Sequence, residues 1–290
     1  MNNYQKNLFE KFEKFRPKPS WSTYPPYHTG DYLEEYFIKY YYENNISTKK
    51  YFIPVCWSSC YINNNDKPIL ELQQELNKLD QNESYFIVST HDDAPRELLP
   101  KFTTCYSAGG NKGDIPIPLV VSKINKNNIP TVDNKKYLAS FIGSITHPIR
   151  NKLYNLHKNN KNIHFQCKQW ESNVSNQSLE IFLQTTSESY FGLAPRGYGK
   201  TSYRLYEIMQ IGAVPVYISD QFWLPWKNEI DWNEICILFD ENNIDFFDIR
   251  LKKEIYSGEY SKKIEKIKEI YDAYFTIKSV NKKIIEECNR

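Results

Sequence analysis

The stretch FGLAPRGYGKTSYRLYEIMQIGAVPVYISD occupies residues 191–220, and it decides the fold class. Both ends are short apolar runs of β-forming residues, the middle is predicted to be helical over 201–211, and Gly212 stands where that helix would end. A loop with two glycines, PRGYGK, separates the first apolar run from the helix. The order strand, loop, helix, strand is typical of a parallel α/β sheet.

The same alternation extends along the chain in two series. The predicted strands are 51–59, 85–90, 137–143, 163–167, 190–194, 214–218 and 235–239. The predicted helices are 31–44, 68–79, 150–158, 178–185 and 201–211, with a mostly helical tail from about residue 244. A segment rich in glycine and proline, 108–136, separates the series as an interdomain linker. The sequence therefore predicts two Rossmann-like, doubly wound domains, 1–134 and 135–290, with a ligand site in the cleft between them.

The loop of residues 195–200 has the features of an anion site. Gly197 is one of two glycines that let the backbone approach a ligand closely. Thr201 or Ser202 can cap the next helix, whose N-terminus presents free N–H groups to an anion. Three basic side chains add positive charge: Arg196, Lys200 and Arg204. This combination predicts a site for a diphosphate.

Arg204 and Glu207 are three residues apart, so they share one face of the predicted helix. An arginine for phosphate and a carboxylate for ribose hydroxyls would suit a nucleoside diphosphate. The alternative is an ordinary surface ion pair, which stabilises a helix by only about 0.2–0.5 kcal/mol.

A nucleoside triphosphatase is a second alternative. Residues 194–201, APRGYGKT, miss the P-loop pattern GxxxxGK[ST] only at Ala194, and the strand that ends at Asp220 could carry a magnesium ligand. Against this hypothesis, Pro195 removes a backbone donor from the phosphate cradle and stiffens the loop.

Composition narrows the choice of partners. The net charge of +2 gives no reason to expect nucleic acid. No metal-ligand spacing is present among the five histidines and six cysteines, so we expect no metal site. No apolar run reaches 18 residues and no signal peptide is visible, so we expect no membrane span and a cytoplasmic location.

The residues also resemble a known family. FGLAPRG, the pattern Ser202-x-Arg204-x-x-Glu207, GAVPVYISD and WLPW (223–226) closely resemble the signature of exostosin-like glycosyltransferases, glycosyltransferase family 47. Looser similarity runs back through SFIGSITHPIRNKLY, GDIPIP and YFIVSTHDD. The sequence departs from the family at residues 93–94, where Asp-Ala replaces the usual Trp-Gly.

The resemblance implies a GT-B fold and an inverting transfer from a nucleotide-sugar donor, usually a UDP sugar, to a glycan hydroxyl. It implies no required metal and no cofactor besides the donor, and the absence of an Asp-x-Asp motif fits. Without a visible anchor, the chain is more similar to viral or bacterial members that work in a cytoplasm. A lectin-like binder on an inactive transferase scaffold is the non-enzymatic alternative.

An inverting transfer needs a stabilised leaving group and a base. We expect the diphosphate to be held by Arg196, Arg204, the N–H groups near Thr201 and Ser202, and a third cation, Arg150. Glu207 is expected to hold the ribose.

The base is expected just after the strand 85–90, at His91, Asp92 or Asp93. Asp92 matches the family's aspartate and is the first candidate, although Asp92 or Asp93 could instead cap a following helix. The reserve candidates are Asp31, Glu34 and Glu35. An aromatic platform for the acceptor is expected at Trp21, Tyr27 and His28, where ordinary packing is the alternative.

Overall fold

The computed structural model describes residues 1–18, 32–132, 134–171, 174–244 and 247–290. The chain forms two compact units, Met1–Val120 with Thr276–Arg290, and Val121–Phe275. This division differs from the predicted boundary between residues 134 and 135, because it falls earlier and returns the last helix to the first unit.

The elements follow in chain order. The first unit begins with α1 (Asn3–Lys11), α2 (Leu33–Glu43), β1 (Tyr51–Phe52), α3 (Trp57–Asn63), α4 (Leu70–Leu76), β2 (Ser84–Ser89), β3 (Phe102–Ser107) and β4 (Ile115–Pro116). The second unit contains β5 (Tyr137–Ser144), α5 (Pro148–His157), β6 (Ile163–Lys168), α6 (Asn176–Ser187), β7 (Ser189–Pro195), α7 (Arg204–Ile211), β8 (Val214–Ser219), β9 (Ile237–Asp240), α8 (Phe247–Tyr256) and α9 (Glu259–Tyr274). The last helix, α10 (Ile277–Cys288), closes the first unit.

The first unit is a parallel sheet in the order β1-β2-β3-β4 with helices on both faces. Phe86 of β2 stacks on Phe52 of β1 at 5.0 Å between ring centroids and meets Phe37 of α2 at 6.1 Å. The next residue, Ile87, packs on the other face in a cluster that contains Trp57 of α3. Because neighbouring strand residues point to opposite faces, both sides of this sheet are covered, as the apolar run predicts.

Helix α10 belongs to the first unit because of its apolar stripe. Val280, Ile284 and Cys288 are fully buried and spaced four residues apart, so they lie on one helix face. The helix packs on α2, and Cys288 Sγ lies 3.4 Å from the hydroxyl of Tyr106 on β3. The sequence shows this stripe but does not show which sheet it covers.

The second unit is a five-stranded parallel sheet in the order β6-β5-β7-β8-β9. A side chain at Gly192 of β7 would meet Ile208 of α7 at 2.5 Å, whereas the preceding Phe191 packs its ring on Tyr260 of α9 at 5.5 Å. Helices thus cover both faces here as well. The two parallel sheets confirm the predicted α/β class, and two such units are what a GT-B chain contains. In the described part of the chain, none of the helices is long and apolar enough to cross a membrane.

The predicted strand at 51–59 is wrong beyond Phe52, because α3 begins at Trp57. The buried carboxylate of Glu34 accepts hydrogen bonds from the backbone N–H and the hydroxyl of Ser58, each at 2.8 Å. Such a carboxyl group provides a partner for a backbone N–H that the first turn of a helix leaves unpaired. This partner comes from another part of the chain, so the β-forming composition of 51–59 was misleading.

Strands β3 and β4 are absent from the sequence-based assignment. The residues of β3, FTTCYS, include four hydroxyl side chains and lack the apolar run of a buried strand. β4 contributes only two residues, within the predicted linker. They form strands because β2 offers β3 a full edge of backbone hydrogen-bonding groups, and β3 offers the same to β4.

Candidate functional site

The second sheet provides a natural binding crevice. From β5, the chain adds β6 on one side and β7 on the other, so the strand order reverses between β5 and β7. In open α/β sheets, ligands bind beyond the carboxyl ends of the strands at such a reversal. The loop that follows β7 is the predicted anion site, and the structure therefore places it at this crevice.

Arg150 of α5 ties the two strands together at that edge. Its buried guanidinium donates from Nη1 to the carbonyl of Ser144, the last residue of β5, at 2.8 Å. Nη2 and Nε donate to the carbonyls of Pro195 and Arg196 at the end of β7, each at 3.0 Å. The predicted third cation is thus engaged with three backbone carbonyls, and its part in binding a diphosphate stays a prediction.

Arg196 is also buried and forms an ion pair with Asp220 at the end of β8. Its Nη2 donates to the carbonyl of Tyr198 at 3.2 Å, which orders the glycine-containing loop. Partial burial pushes the pKa of Asp220 upward, but the hydrogen bond and the charge of Arg196 outweigh it and hold this pKa below its usual value. Asp220 is therefore ionised at neutral pH and fixes the direction of the guanidinium.

Arg204 and Glu207 form the predicted ion pair at the start of α7. Arg204 also has partners outside this ion pair, because its Nε donates to the carbonyl of Ile142 on β5 at 2.9 Å. Its guanidinium also lies 3.8 Å from the ring centroid of Phe182 on α6. The side chains of Arg204 and Glu207 are 26% and 13% exposed, so both retain access to a ligand.

The loop between Arg196 and α7 is closed by a hydrogen bond from the Gly197 N–H to the carbonyl of Thr201 at 3.1 Å. A side chain at Gly197 would lie 3.3 Å from Arg150 Nη2, which is tighter than ordinary contact. Thr201 is buried, and its hydroxyl has no hydrogen-bond partner within the described ranges. The hydroxyl of Ser202 accepts from the Arg204 N–H at 3.3 Å. Ser202, rather than Thr201, therefore provides the hydrogen-bond acceptor for the first residue of α7.

This geometry does not support the triphosphatase alternative. A P-loop helix follows its lysine directly, whereas α7 begins four residues after Lys200. The ammonium of Lys200 lies over the ring of Trp223, at 5.3 Å from its centroid. Asp220, the residue that could have carried a magnesium ligand, is paired with Arg196.

The sequence analysis did not identify His147 as a site residue. It caps α5 through its Nδ1, which accepts from the Ile149 N–H at 3.4 Å. Burial, with the charges of Arg196 and Arg150, lowers the pKa of His147, so the imidazole is neutral at pH 7. Its position between the end of β5 and the helix-starting Pro148 is a signal that could have indicated it.

In the first unit, the candidate base residues follow β2, as predicted. His91 Nε2 lies 3.0 Å from Asp66 Oδ1, and its Nδ1 accepts from the backbone N–H of Asp93 at 3.2 Å. Nδ1 therefore carries no proton, and Nε2 donates to Asp66. Burial lowers the pKa of His91 despite the neighbouring Asp66. Both ring nitrogens are thus used to shape the loop.

The carboxylate of Asp93 is held by Arg96 at 3.3 Å and by the side-chain amide of Asn111 at 3.0 Å. Asp92 is packed closely, since a side chain at Gly109 would meet its Cα at 2.4 Å. The chain forms no helix between Asp93 and β3, so neither aspartate caps one as the alternative proposed.

Glu34, a reserve candidate, lies at the same end of β2. Its Oε1 accepts from the Thr90 N–H at 2.7 Å, in addition to the two bonds from Ser58. Burial and the charge of Glu35 raise the pKa of Glu34 to about 7, against the opposing effect of the hydrogen bonds that it accepts. The carboxyl group thus joins the start of the candidate base loop to the start of α3.

Four predicted site residues, Trp21, Tyr27, His28 and Asp31, lie outside the described residues. Among the described residues, no group of three or more His, Cys, Asp or Glu side chains could hold a metal ion.

Comparison with known proteins gives one family. The Exostosin GT47 domain matches residues 76–254, more than half of the chain. Exostosin-1 of Drosophila melanogaster is 30% identical over 158 residues, which cover 44% of this chain and 20% of that protein. The Exostosin-1 homolog of Caenorhabditis elegans is 28% identical over 180 residues, which cover 55% of this chain and 46% of that protein. The chain thus matches between a fifth and a half of the length of these relatives.

Two solved structures are similar at low sequence identity. An α-glucosyltransferase, solved with UDP-glucose and DNA containing an abasic site, has a TM-score of 0.42 at 12% identity, covering 81% of this chain and 78% of that one. Sucrose-phosphate synthase from Thermosynechococcus elongatus has a TM-score of 0.41 at 10% identity, covering 75% and 60%. Likeness of this degree says nothing about activity.

Replacement of Arg150 tests its structural role. Arg150→Lys should lower the free energy of unfolding by about 2–4 kcal/mol, because an ammonium cannot span three carbonyls and buried acceptors are left unpaired. Denaturant titration gives this value. Lys152→Ala, an exposed position on the same helix, is the control and should change stability by no more than about 0.5 kcal/mol. Equal stability of the two variants would contradict the role assigned to Arg150.

Glu34 predicts a pH dependence of stability. With a pKa of about 7 in the folded chain against an ordinary 4.5, Glu34 keeps its proton on folding between these values while the unfolded chain loses it. Stability from this group is therefore present at low pH and lost as pH rises through 7. Relative to Glu34→Gln, the wild type should lose up to about 3 kcal/mol of unfolding free energy between pH 5 and pH 8.

Denaturant titrations at the two pH values measure this difference. Glu83→Gln, an exposed position in the same unit, should show no such change relative to the wild type. If instead the wild type gained stability over Glu34→Gln with rising pH, the hydrogen bonds to the carboxylate would outweigh its burial.

Proposed function

The chain belongs to the exostosin GT47 family of glycosyltransferases, and from this premise we propose that it transfers a sugar from a nucleotide-sugar donor to a hydroxyl of a glycan. A UDP sugar is the proposed donor, with inversion at the anomeric carbon and no required metal ion. The observation that carries the proposal is the cluster of Arg196, Arg204 and Glu207 at the strand-order reversal between β5 and β7.

This cluster suits a diphosphate leaving group. As the bond between the anomeric carbon and the phosphate oxygen breaks, negative charge grows on the diphosphate. Arg196 and Arg204 are already oriented by ion pairs and by backbone carbonyls, so little reorganisation is needed. The Thr201 hydroxyl, buried and without a partner in the described parts of the chain, is a further proposed donor to a phosphate oxygen.

Glu207 is the proposed ribose ligand. One carboxylate oxygen pairs with Arg204, and the other is proposed to accept hydrogen bonds from the ribose hydroxyls. This arrangement would place a cation for the phosphate and an acceptor for the ribose side by side on α7.

Asp92 is the proposed base. In the reaction, the acceptor oxygen forms a bond to the anomeric carbon, the sugar–phosphate bond breaks, and the hydroxyl proton passes to the Asp92 carboxylate. His91 and Asp93 are proposed as positioning residues, because their contacts with Asp66, Arg96 and Asn111 hold the loop. An acceptor platform at Trp21, Tyr27 and His28 remains part of the proposal.

The proposed function is tested first by donor binding and then by turnover. A thermal-shift panel of nucleotide sugars should show stabilisation by UDP sugars, and the best donor is then assayed for UDP release with a panel of glycan acceptors. A lectin-like binder would be stabilised by sugars and release no UDP.

The donor assignment predicts the behaviour of Glu207→Ala. We expect the donor KM and the Kd for UDP to rise about tenfold, which corresponds to about 1.4 kcal/mol for one lost polar contact. Arg204 should keep its position, since Ile142 and Phe182 also hold it. Glu269→Ala, at an exposed site on α9, is the control. Unchanged UDP affinity in Glu207→Ala would exclude the ribose role.

The base assignment predicts the behaviour of Asp92→Asn. Turnover should fall by about 10²–10⁴-fold, the usual contribution of general base catalysis, while UDP affinity stays the same. Initial rates at saturating donor and calorimetry with UDP measure the two quantities. Asp80→Asn, an exposed position that precedes β2, should retain full turnover. Near-normal turnover in Asp92→Asn would assign the base elsewhere.

A further inference from the structure

A second concave site lies at the other edge of the second sheet. A cavity of about 270 Å³ is lined by the first residues of β5, by Tyr190 near the start of β7, by Asn162 just before β6, and by the end of α8. Strands of a parallel sheet all run in one direction, so this pocket is at the edge opposite to the Arg196 loop. The eight residues of β5 separate the two edges by about 23 Å.

Three lysines line this pocket, Lys135, Lys136 and Lys252, and among the described residues no aspartate or glutamate lines it. None of the three has an ion-pair partner within 4.0 Å among the residues that the structure describes. Lys252 lies on α8, four residues before its last residue, and the other two lysines directly precede β5. Three like charges around one cavity produce a positive field that attracts an anion.

Lys135 is already fixed in place. Its ammonium donates to the carbonyl of Ser187 at 2.6 Å. Burial lowers the pKa of Lys135, which shows that its charge is incompletely solvated there. A bound anion would supply the missing counter-charge, so the pocket is better satisfied with an acidic ligand than without one.

The remaining lining is aromatic. Three tyrosines contribute, Tyr137, Tyr190 and Tyr256. Tyr256 is 87% exposed, so its ring makes little contact with the rest of the protein and is accessible to a ligand. Tyr190 is oriented by an edge-to-face contact with Tyr260, at 5.4 Å between centroids. Flat faces with polar hydroxyls are suited to the apolar faces and hydroxyl groups of a sugar ring.

We propose that this pocket binds an acidic sugar residue of a glycan, with the lysines on its anionic group and the tyrosines on its ring, separately from the donor site. The choice of a sugar as ligand rests on the proposed function, whereas the requirement for an anion rests on the pocket alone. A pocket of about 270 Å³ has room for one or two sugar rings, so the rest of the glycan would lie outside it. The site would hold a glycan by a part that does not react.

The test uses the full chain without donor and a matched pair of ligands, cellobiouronic acid and its neutral counterpart cellobiose, titrated by ligand-observed NMR. The acidic disaccharide should bind at least about tenfold tighter, and added salt should reduce the difference. Glucose 6-sulfate and inorganic sulfate show whether a sulfate replaces the carboxylate and whether the anion alone is enough.

Variants locate the binding. Lys252→Glu should weaken cellobiouronic acid about tenfold, whereas Lys282→Glu, the same charge change at a 73% exposed position on α10, should have no effect. Tyr256→Ala should weaken the disaccharide and leave inorganic sulfate unchanged. Equal affinity for the acidic and neutral disaccharides, or equal losses in Lys252→Glu and Lys282→Glu, would overturn the proposal.

Saturating UDP separates this proposal from the proposed transfer. Affinity for cellobiouronic acid should be unchanged with UDP bound, and competition between them would place the acid in the donor site and overturn the proposal. Lys252→Glu should keep its affinity for UDP. Loss of binding of the acidic disaccharide would then leave the proposed donor site unaffected.

Discussion

The hydrogen bonds of the Arg150 guanidinium hold the proposed donor site together. Strands that end at one edge of a parallel sheet leave carbonyls with no ladder partner, and burial of such groups costs about 1–3 kcal/mol each. Arg150 donates to three carbonyls at the ends of β5 and β7, of which the Ser144 carbonyl also accepts from the Thr146 N–H. Lysine could not do this, because only the guanidinium presents several N–H groups in a fixed plane. The position of the Arg196 loop depends on this tie.

In the first unit, an acidic side chain has the corresponding place, with backbone N–H groups as its partners. There, the carboxyl end of β2 and the start of α3 present backbone N–H groups, and the buried carboxylate of Glu34 accepts from both. In each unit, one buried ionisable side chain from a neighbouring helix completes the edge at which the candidate site residues lie. A buried charge is expensive unless it is fully hydrogen-bonded, so such residues constrain the loops strongly.

Most residues proposed to bind the donor are also bound to the protein. Arg196 pairs with Asp220, and Arg204 pairs with Glu207 while it lies over Phe182. These contacts fix the directions of the cations before a ligand arrives, which is how an electrostatic site avoids reorganisation during the reaction. Because these residues also contact the protein, a substitution at any one of them would change the stability of the fold and the affinity for the donor together.

The local pattern of the sequence was enough for the parallel α/β class and the strand–loop–helix–strand at 191–220, because apolar periodicity and glycine placement are properties of neighbouring residues. The family followed from the resemblance of the motifs within 191–226 to a known signature. The local pattern was not enough for β3, for the start of α3 or for the unit to which α10 belongs. Those depend on an open strand edge, on the Glu34 carboxylate and on the face offered by α2, all of which come from distant parts of the chain. The role of Arg150 was decided in the same way. A sequence shows that an arginine follows a strand, but only the folded chain brings three carbonyls from two strand ends within its reach.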